Sequence, residues 1–442
     1  MKNSNQPQTQ IFDENRISNY VKKFSFPRLC GTDGESRAVE LTYNTFKEIG
    51  FNENEIQREH FEFSDFYSTT LIQLIGTISL TCILILLLTL YINPYVTIFL
   101  IAGMAFIVTF ILRSLKHPEY MGFWAKYYGD TIEATNIIIK VPAKDLPEEK
   151  AGDVIISAHL DSKSQSYRTV WRIIIYRMWL FGGITFGALY LIVLIYRLLP
   201  PSITTYFANS NIFNEIFQIM NMIIIISAIL VSLSNAFLIF LTTKNKSPGA
   251  LDNASGMAVV FELSSFFKKH PLGNFNLWFC QFSAEELGTM GSRIFVNNHE
   301  DEFEKEKVFQ INLDMVSSAR QEKKNQIEYL KSYGMMPPRK IAPMLSEYLD
   351  KASKEENISV VGFHLTTGAH TDSVPFHLRG YHAVDLTTRA AAIYTHSKND
   401  TPDKVDPKVL RDTCLIVKKV IEMLDKDYKN FNENNEEVRD LP

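Results

Sequence analysis

Cysteine is scarce in this sequence, and the few cysteines are widely separated. The chain has 442 residues and four cysteines, at positions 30, 82, 280 and 414, with no Cys-x-x-Cys pair. This spacing argues against a disulfide framework and is compatible with a reducing compartment.

An excess of charge of one sign is also missing. The chain has 45 Lys and Arg residues and 49 Asp and Glu residues, a formal net charge of -4, which argues against nucleic acid as the main partner. The first 15 residues are polar and lack the basic-then-apolar order of a secretory signal. A serine nucleophile is not expected either, because Ser255 has neither a Gly-x-Ser-x-Gly context nor a preceding strand.

Long apolar runs, by contrast, are present. Crossing a hydrocarbon core of ~30 Å takes roughly 20 apolar residues. Four stretches meet this requirement, at 69–92, 95–112, 178–199 and 216–241. Buried core helices are the alternative interpretation, but uncharged runs of this length are rare in soluble cores. The sequence therefore predicts four transmembrane helices.

The predicted spans form two hairpins, and each hairpin leaves and returns on the same side of a bilayer. Segments 1–68, 116–168 and 242–428 are therefore expected to form one domain, interrupted by hairpins at 69–115 and 169–241 and followed by a polar tail at 429–442. The opposite turns carry only Arg197, whereas the domain side is flanked by Arg113, Lys116, Lys126, Lys163, Arg168, Arg172, Lys244 and Lys246. By the positive-inside rule, the domain and both termini are predicted to be cytoplasmic.

The soluble segments alternate between helical and strand patterns. Helices are predicted at 14–24, 35–49, 257–268, 341–354 and 407–424, and strands at 59–63, 131–141, 154–158, 275–282 and 308–313. This alternation predicts an α/β fold of three layers, with helices on both faces of a mixed, largely parallel sheet.

Histidines and acidic residues follow the predicted strands. The sequence reads Asp-Val-Ile-Ile-Ser-Ala-His-Leu-Asp at 153–161, Gly-Ala-Leu-Asp-Asn-Ala-Ser-Gly at 249–256, Phe-Ser-Ala-Glu-Glu-Leu-Gly at 282–288 and Phe-Gln-Ile-Asn-Leu-Asp at 309–314. Ligands of open α/β sheets bind beyond the carboxyl ends of the strands. A lone polar residue there is usually a cap or a turn residue. Four such ends together, with His396 further along, indicate a site for two metal ions.

These motifs resemble those of the zinc-dependent, co-catalytic aminopeptidases and carboxypeptidases, which include bacterial leucyl aminopeptidases and glutamate carboxypeptidases. The resemblance covers nearly all of the soluble sequence. It begins with Pro-Arg-Leu-Cys-Gly-Thr-Asp-Gly-Glu-Ser-Arg at 27–37 and ends with Tyr-Thr-His-Ser-Lys-Asn-Asp-Thr-Pro at 394–402. Each motif alone is weak, but all five in order are specific. The two membrane hairpins depart from the family pattern, so localisation is not carried over.

The resemblance implies a ligand set for two zinc ions. Asp252 is expected to bridge the ions, because one carboxylate can span the ~3.5–4 Å of a two-metal site. His159 and Asp314 are expected to complete one ion, and Glu286 and His396 the other. Neutral imidazole and carboxylate are suitable zinc ligands.

Two further residues receive catalytic roles from the same resemblance. Asp161, two residues after His159, is expected to accept the imidazole N–H and fix the ring tautomer. Glu285 is expected to be the general base, which takes a proton from the attacking water and passes it to the leaving amine.

The segment Gly-Ala-His-Thr-Asp-Ser-Val-Pro-Phe at 368–376 resembles a family segment that lines the substrate pocket. His370 and Asp372 are therefore predicted to be pocket residues. A loop with a buried, hydrogen-bonded pair is an equally good interpretation, because buried polar groups need partners in any case.

The function predicted from the sequence is that of a membrane-embedded di-zinc metallopeptidase, with an aminopeptidase favoured over a carboxypeptidase. A glutaminyl cyclase-like acyltransferase with one zinc ion is one alternative, and an inactive peptidase-like receptor or scaffold is another. Peptides are the expected substrates and the lipid bilayer the expected environment. Because the second hairpin separates Asp161 from Asp252 in the chain, membrane-associated peptides are expected among the substrates.

Overall fold

The computed structural model describes residues 11–114, 118–319, 325–335, 337–366 and 371–428. The chain divides into two compact units. The first, here called the sheet unit, comprises Met1–Phe63, Thr131–Ser164 and Lys244–Pro442. The second, here called the helical unit, comprises Ser64–Asp130 and Gln165–Thr243. The chain thus leaves the sheet unit twice and returns to it each time.

The strands follow one another along the chain as β1 (Ile56–Ser64), β2 (Thr131–Val141), β3 (Gly152–His159), β4 (Ser164–Gln165), β5 (Thr243–Lys244), β6 (Phe275–Phe282), β7 (Val308–Leu313), β8 (Ile327–Tyr333), β9 (Arg339–Lys340), β10 (Val360–Leu365) and β11 (His382–Thr387). The main sheet has the order β1-β2-β6-β3-β7-β11-β8-β10, and β9 pairs with β8. Strands β4 and β5 form a separate two-stranded sheet. In the main sheet β6, β3, β7 and β11 run parallel, whereas β2 is antiparallel to β6 and β8 to β11.

The α-helices are α1 (Glu14–Phe24), α2 (Asp33–Ile49), α3 (Thr69–Ile92), α4 (Pro94–Ser114), α5 (Phe123–Tyr128), α6 (Thr169–Leu198), α7 (Pro201–Ala208), α8 (Asn211–Ile239), α9 (Ser255–Phe267), α10 (Met290–His299), α11 (Pro343–Glu356), α12 (Val374–Arg379) and α13 (Pro407–Lys426). Helices α3–α8 belong to the helical unit. The others belong to the sheet unit and supply its outer layers.

Alternation along the central strands explains why the sheet is covered on both faces. On β3, Val154 and Ile156 pack into a core cluster shared with α1, α2, α9, α11 and α13. Ile155, between them, packs into a second cluster shared with α10 and α12. Successive side chains of a strand point to opposite faces, so a strand that is apolar throughout must be buried on both sides. The predicted α/β fold with helices on both faces of a mixed sheet is confirmed.

Local sequence sets where the outer helices begin and end. Asp13 caps α1 by accepting the backbone N–H of Asn15 over 2.8 Å. Helix α2 ends at Gly50, whose φ of 107° lies in the left-handed region that favours glycine. Asp406 caps α13, and Pro407 occupies its first turn, where a missing N–H costs nothing.

Among its described residues, the helical unit contains four helices that are long and apolar enough to cross a membrane, at Thr69–Ile92, Pro94–Arg113, Thr169–Leu198 and Asn211–Ile239. Large apolar side chains on them are exposed, among them Leu88, Ile92, Phe99 and Phe106. Helix α6 begins at Thr169, nine residues before the apolar run predicted from the sequence. Hydropathy locates the apolar part of a helix, whereas its backbone hydrogen bonds continue through polar turns.

Candidate metal centre and active site

The parallel strands bring the predicted site residues to one edge of the sheet. In register, His159 of β3 pairs with Phe282 at the end of β6, and Ser157 pairs with Asn312 near the end of β7. The chain continues from β6 into Glu285 and Glu286 and from β7 into Asp314. The carboxyl ends of these three neighbouring strands therefore supply four of the predicted residues.

Asp252 lies between two groups of candidate ligands. Its Oδ1 is 3.2 Å from Nε2 of His159, and its Oδ2 is 3.0 Å from Nε2 of His396. Nε2 of His159 is also 3.5 Å from Oδ1 of Asp314, and Nε2 of His396 is 3.2 Å from Oε2 of Glu286. Two sets of donor atoms result, His159–Asp252–Asp314 and Asp252–Glu286–His396, each compact enough to hold one metal ion.

Unsatisfied buried atoms indicate that the first set fits a cation. Nε2 of His159 and Oδ1 of Asp314 are buried and have no hydrogen-bond partner among the described residues. His159 is 1% exposed and Asp314 8%. Burying a carboxylate without a partner is costly, and a divalent ion removes that cost. Imidazole and carboxylate donors without a thiolate are suitable zinc ligands.

Asp252 itself precedes a helix rather than opening one. It lies in an irregular turn with φ of -119° and ψ of 83°, and the regular helix α9 starts at Ser255. The peptide bond between Asp252 and Asn253 is cis. The Asn253 side chain bridges segments, since its amide donates to the Leu313 carbonyl over 2.7 Å and its oxygen accepts the Gly256 N–H over 3.0 Å.

Asp161 is hydrogen-bonded to the backbone of both glutamates. Its Oδ1 accepts the N–H of Glu285 and its Oδ2 accepts the N–H of Glu286, each over 3.2 Å. Nδ1 of His159 lies 3.2 Å from the Asp161 carbonyl oxygen and 3.4 Å from its Oδ1. The fully buried Asp161 carboxylate thus holds the backbone of both glutamates, whereas the hydrogen bond of the His159 imidazole goes to the Asp161 carbonyl oxygen.

Asp400 accepts hydrogen bonds from the backbone of the turn that carries Asp252. Its carboxylate accepts the N–H of Leu251 over 2.6 Å and that of Asp252 over 3.2 Å. The Asp400 side chain is fully buried, and this burial, followed by the nearby charge of Asp252, raises its pKa to about 7. Asp400 therefore fixes the turn that carries the central carboxylate.

Arg28 is fully buried, and its guanidinium forms hydrogen bonds with two loops of the site. Its guanidinium donates to the carbonyls of Leu160 over 2.6 Å, Pro248 over 2.7 Å and Gly249 over 2.8 Å. These carbonyls flank His159 on one loop and precede Asp252 on another. The guanidinium charge also lies close enough to interact with Asp400, Asp161, Asp252 and Glu286.

The pKa values of the two adjacent glutamates are shifted in opposite directions. Burial, together with the charges of Glu286 and Asp314, raises the pKa of Glu285 well above its ordinary value. Burial opposes ionisation of Glu286 as well, but the charges of His396 and Lys163 outweigh it and lower its pKa to about 2. Opposite pKa shifts on adjacent carboxyl groups are the pattern expected of an acid–base residue beside a ligand.

Three non-glycine residues of the site have left-handed backbone conformations. Ala284, just before Glu285, has φ of 57°, Met315, just after Asp314, has φ of 53°, and His396 itself has φ of 56°. Such conformations are uncommon outside glycine and cluster at functional sites. No composition or periodicity signal could have predicted them.

The two predicted pocket residues have different outcomes. Asp372 is fully buried, and neither of its carboxylate oxygens has a hydrogen-bond partner among the described residues. Burial raises its pKa to about 7, although the charge of His159 opposes this shift. His370 lies outside the described residues. The Asp372 carbonyl oxygen accepts a hydrogen bond of 3.1 Å from the Gln310 side chain, so the described part of the chain holds the backbone of Asp372 but leaves its carboxylate without a hydrogen-bond partner.

The sequence reasoning missed Asp400, Arg28 and Lys163. Asp400 and Arg28 fall inside quoted motifs, so their position in those motifs was a usable signal. No sequence signal indicated a role in the site for Lys163, because a lysine two residues after an aspartate is an ordinary surface pattern. Its side chain is only 13% exposed and forms an ion pair of 2.9 Å with Glu286.

Comparison with known proteins identifies related sequences. Residues 237–421 match the model of Peptidase family M28. Aminopeptidase YwaD of Bacillus subtilis (strain 168) is 29% identical over 191 residues, which are 41% of this chain and 39% of that protein. The aligned region therefore spans about two fifths of that relative's length.

Solved structures of similar fold extend over nearly the whole chain. An aminopeptidase from Aneurinibacillus sp. strain AM-1 has a TM-score of 0.53 at 15% identity, covering 93% of this chain and 94% of its own. A glutaminyl cyclase from an Acidobacteriales bacterium has a TM-score of 0.51 at 14% identity, with coverages of 96% and 98%. A zinc aminopeptidase from Bacillus subtilis has a TM-score of 0.50 at 13% identity, with coverages of 93% and 95%. At these identities the likeness establishes the fold.

Proposed function

We propose that this chain is a member of peptidase family M28 and a zinc-dependent aminopeptidase that hydrolyses peptide bonds with two metal ions. The observation that carries the proposal is the position of Asp252, whose two oxygens face His159 and His396 separately. A carboxylate shared in this way is the central element of a two-metal site. The aminopeptidase specificity is supported by the 29% identity to aminopeptidase YwaD of Bacillus subtilis over 191 residues.

Each ligand position has a defined role in the proposal. His159, Asp252 and Asp314 would hold one ion, and Asp252, Glu286 and His396 would hold the other. Bound zinc supplies Lewis acidity towards a carbonyl oxygen and lowers the pKa of water towards neutrality.

Glu285 is the proposed general base. Its Oε2 lies 3.9 Å from Nε2 of His159, so it borders the first ligand set without belonging to it. The backbone of Glu285 is held by Asp161, so the carboxylate is presented from a fixed position. In the reaction Glu285 accepts a proton from the attacking water and delivers that proton to the leaving amine. Its raised pKa suits a group that must hold a proton between the two steps.

A glutaminyl cyclase-like acyltransferase is the second candidate. The fold likeness to a glutaminyl cyclase is nearly as close as that to the aminopeptidase. The cyclase chemistry uses one ion and requires only part of the ligand set. The presence of all five ligands therefore favours a hydrolase with two ions. An inactive scaffold is disfavoured, because no predicted ligand position is substituted and the ligands converge.

We further propose that the helical unit is embedded in a membrane as two hairpins, with the sheet unit and both termini in the cytoplasm. The four apolar helices and their exposed Leu, Ile and Phe side chains support the membrane location. The basic residues on the flanks of the hairpins support the orientation. Protection of the sheet unit from protease in inverted vesicles would contradict the orientation.

The experiment that tests the function compares three substrates with the full chain purified in detergent. An aminoacyl fluorophore, the same compound with a blocked amino group, and a peptide with an N-terminal glutamine are assayed side by side. Release from the free aminoacyl compound alone supports the aminopeptidase. Cyclisation of the glutaminyl peptide without release from the aminoacyl compound supports the second candidate, and absence of both reactions in zinc-loaded protein contradicts both enzymatic functions.

A further inference from the structure

Lys163 contacts the candidate ligand Glu286 through both its backbone and its side chain. Its backbone N–H donates to Oε1 of Glu286 over 3.0 Å. Its ammonium group lies 2.9 Å from Oε2 of the same residue and donates to the Glu286 carbonyl oxygen over 2.7 Å. Side-chain exposure is 13% for Lys163 and 3% for Glu286, so this pair is largely shielded from solvent. A lysine charge is therefore held beside a group that the proposed function assigns to a metal ion.

The two ligand sets are consequently unequal. In the set Asp252–Glu286–His396, both Glu286 oxygens already have partners, since Oε2 faces His396 over 3.2 Å as well as the ammonium group. In the set His159–Asp252–Asp314, Oδ1 of Asp314 is buried and has no hydrogen-bond partner in the described part of the chain. None of the described lysines or arginines forms an ion pair with Asp314 within 4.0 Å. Among the described residues, a lysine or arginine thus pairs with a carboxylate that belongs to one set alone, Glu286.

We propose that Lys163 weakens the binding of a divalent cation to Asp252, Glu286 and His396, so that the two ligand sets fill in order. The proposal rests on the di-zinc function proposed above. A fixed ammonium charge partly neutralises Glu286 and repels an incoming cation, and both effects are strong where water is excluded. The first ion therefore binds at His159, Asp252 and Asp314, and the second binds more weakly next to Lys163.

Two contacts hold Glu286 independently of the Lys163 side chain. The backbone N–H of residue 163 holds Oε1, and this contact is retained whatever side chain stands there. Asp161 holds the backbone of Glu286 through a second hydrogen bond. Replacing the side chain of Lys163 therefore removes the charge while it leaves the ligand in place. If the lysine served only to position Glu286, its loss would weaken the second ion instead of strengthening it.

The test is a zinc titration of the full, metal-stripped chain in detergent, with a competing chromophoric chelator. The variants are Lys163→Met and Lys163→Gln, which lack the charge, and Lys163→Arg, which keeps it. Lys418→Met is the matched control, because Lys418 forms a comparable lysine–glutamate pair with Glu422 on α13. Thermal unfolding of each variant verifies that it is folded.

We expect two resolved binding steps for the parent chain, Lys163→Arg and Lys418→Met. In Lys163→Met and Lys163→Gln the second step should tighten by about tenfold or more, equivalent to about 1.4 kcal/mol, and the first should change little. A second step that is unchanged or weaker in both uncharged variants overturns the inference and leaves the di-zinc function standing. Failure of the parent chain to bind any zinc overturns the proposed function itself.

Discussion

Oδ1 of Asp161 accepts a hydrogen bond of 3.2 Å from the backbone N–H of Glu285. The residue proposed to orient an imidazole therefore also anchors the proposed general base, and its other oxygen anchors the neighbouring ligand Glu286. The loop after β6 is thus fixed by a residue from the loop after β3. Asp161 thus links a proposed metal ligand, Glu286, to the proposed general base, Glu285.

The substitution Asp161→Asn should impair both zinc binding and catalysis. The amide keeps one acceptor oxygen but presents an NH₂ group to one of the two backbone N–H donors, so that one hydrogen bond is lost in a buried site. We expect a loss of about 10–100-fold in zinc affinity or in kcat/KM, the usual effect of removing an outer partner of metal ligands. Zinc titration and initial rates on one preparation measure both. Unchanged values for both would show that Asp161 has no part in positioning the site.

Glu285→Gln should separate catalysis from metal binding. The substitution removes the group that accepts and returns the proton but leaves all five proposed ligands in place. Turnover should fall by about 10²–10⁴-fold, while the zinc content remains close to that of the parent chain. Metal analysis and fluorophore release on the same sample test the prediction. Hydrolysis at the parental rate would exclude Glu285 as the base.

Asp400→Asn should loosen the turn that carries Asp252. Asp400 accepts two backbone N–H groups, from Leu251 and Asp252, and an asparagine can accept only one of them. A buried donor without a partner costs about 1–3 kcal/mol. We expect a lower unfolding temperature and weaker zinc binding. The exposed Asp403, three residues further along, provides the matched control Asp403→Asn, and equal effects of the two substitutions would count against the role of Asp400.

The buried carboxyl group of Glu35 should make the free energy of unfolding depend on pH. Glu35 is buried and accepts a hydrogen bond of 2.8 Å from Ser283, and burial raises its pKa from 4.5 to about 7. Between pH 4.5 and pH 7 the folded chain holds a proton that the unfolded chain has lost. The free energy of unfolding therefore falls as the pH rises through this window. Above the window the cost of the buried charge is fully present.

Glu35→Gln should remove this dependence, because the amide keeps an acceptor for Ser283 and never ionises. The free energy of unfolding of the variant should exceed that of the parent chain by about 1–3 kcal/mol at pH 8 and by much less at pH 5. Unfolding temperatures at the two pH values, with zinc held constant, measure the difference. A gain that is larger at pH 5 than at pH 8 would contradict the assigned shift.

Much of the fold could be predicted from the sequence because its signals are local. The strand at Thr131–Val141 and the helix at Glu14–Phe24 have the predicted bounds, since each is an apolar pattern that ends at polar or turn residues. Strands β8, β10 and β11 were not predicted. For β10 the reason is its place at the edge of the sheet, where residues are partly exposed and hydrophobic alternation is weak.

The site could be predicted only in part. The ligand residues follow recognisable strands, and parallel neighbours bring such positions together. The roles of Arg28 and Asp400 depend on contacts between segments more than 100 residues apart, such as the bond from Arg28 to the Gly249 carbonyl. The inward position of Lys163 depends in the same way on Glu286. Spacing along the chain contains no information about these contacts.

Zinc analysis and aminoacyl hydrolysis on one preparation test whether two zinc ions held around Asp252 carry out the hydrolysis. Parent chain and Asp252→Asn are equilibrated with excess zinc, freed of unbound metal and assayed. We predict two zinc ions per parent chain, hydrolysis that stops on chelation and returns with zinc, and a large loss of both metal and activity in Asp252→Asn. Full hydrolysis by metal-stripped protein, or by an Asp252→Asn variant without zinc, would contradict the account.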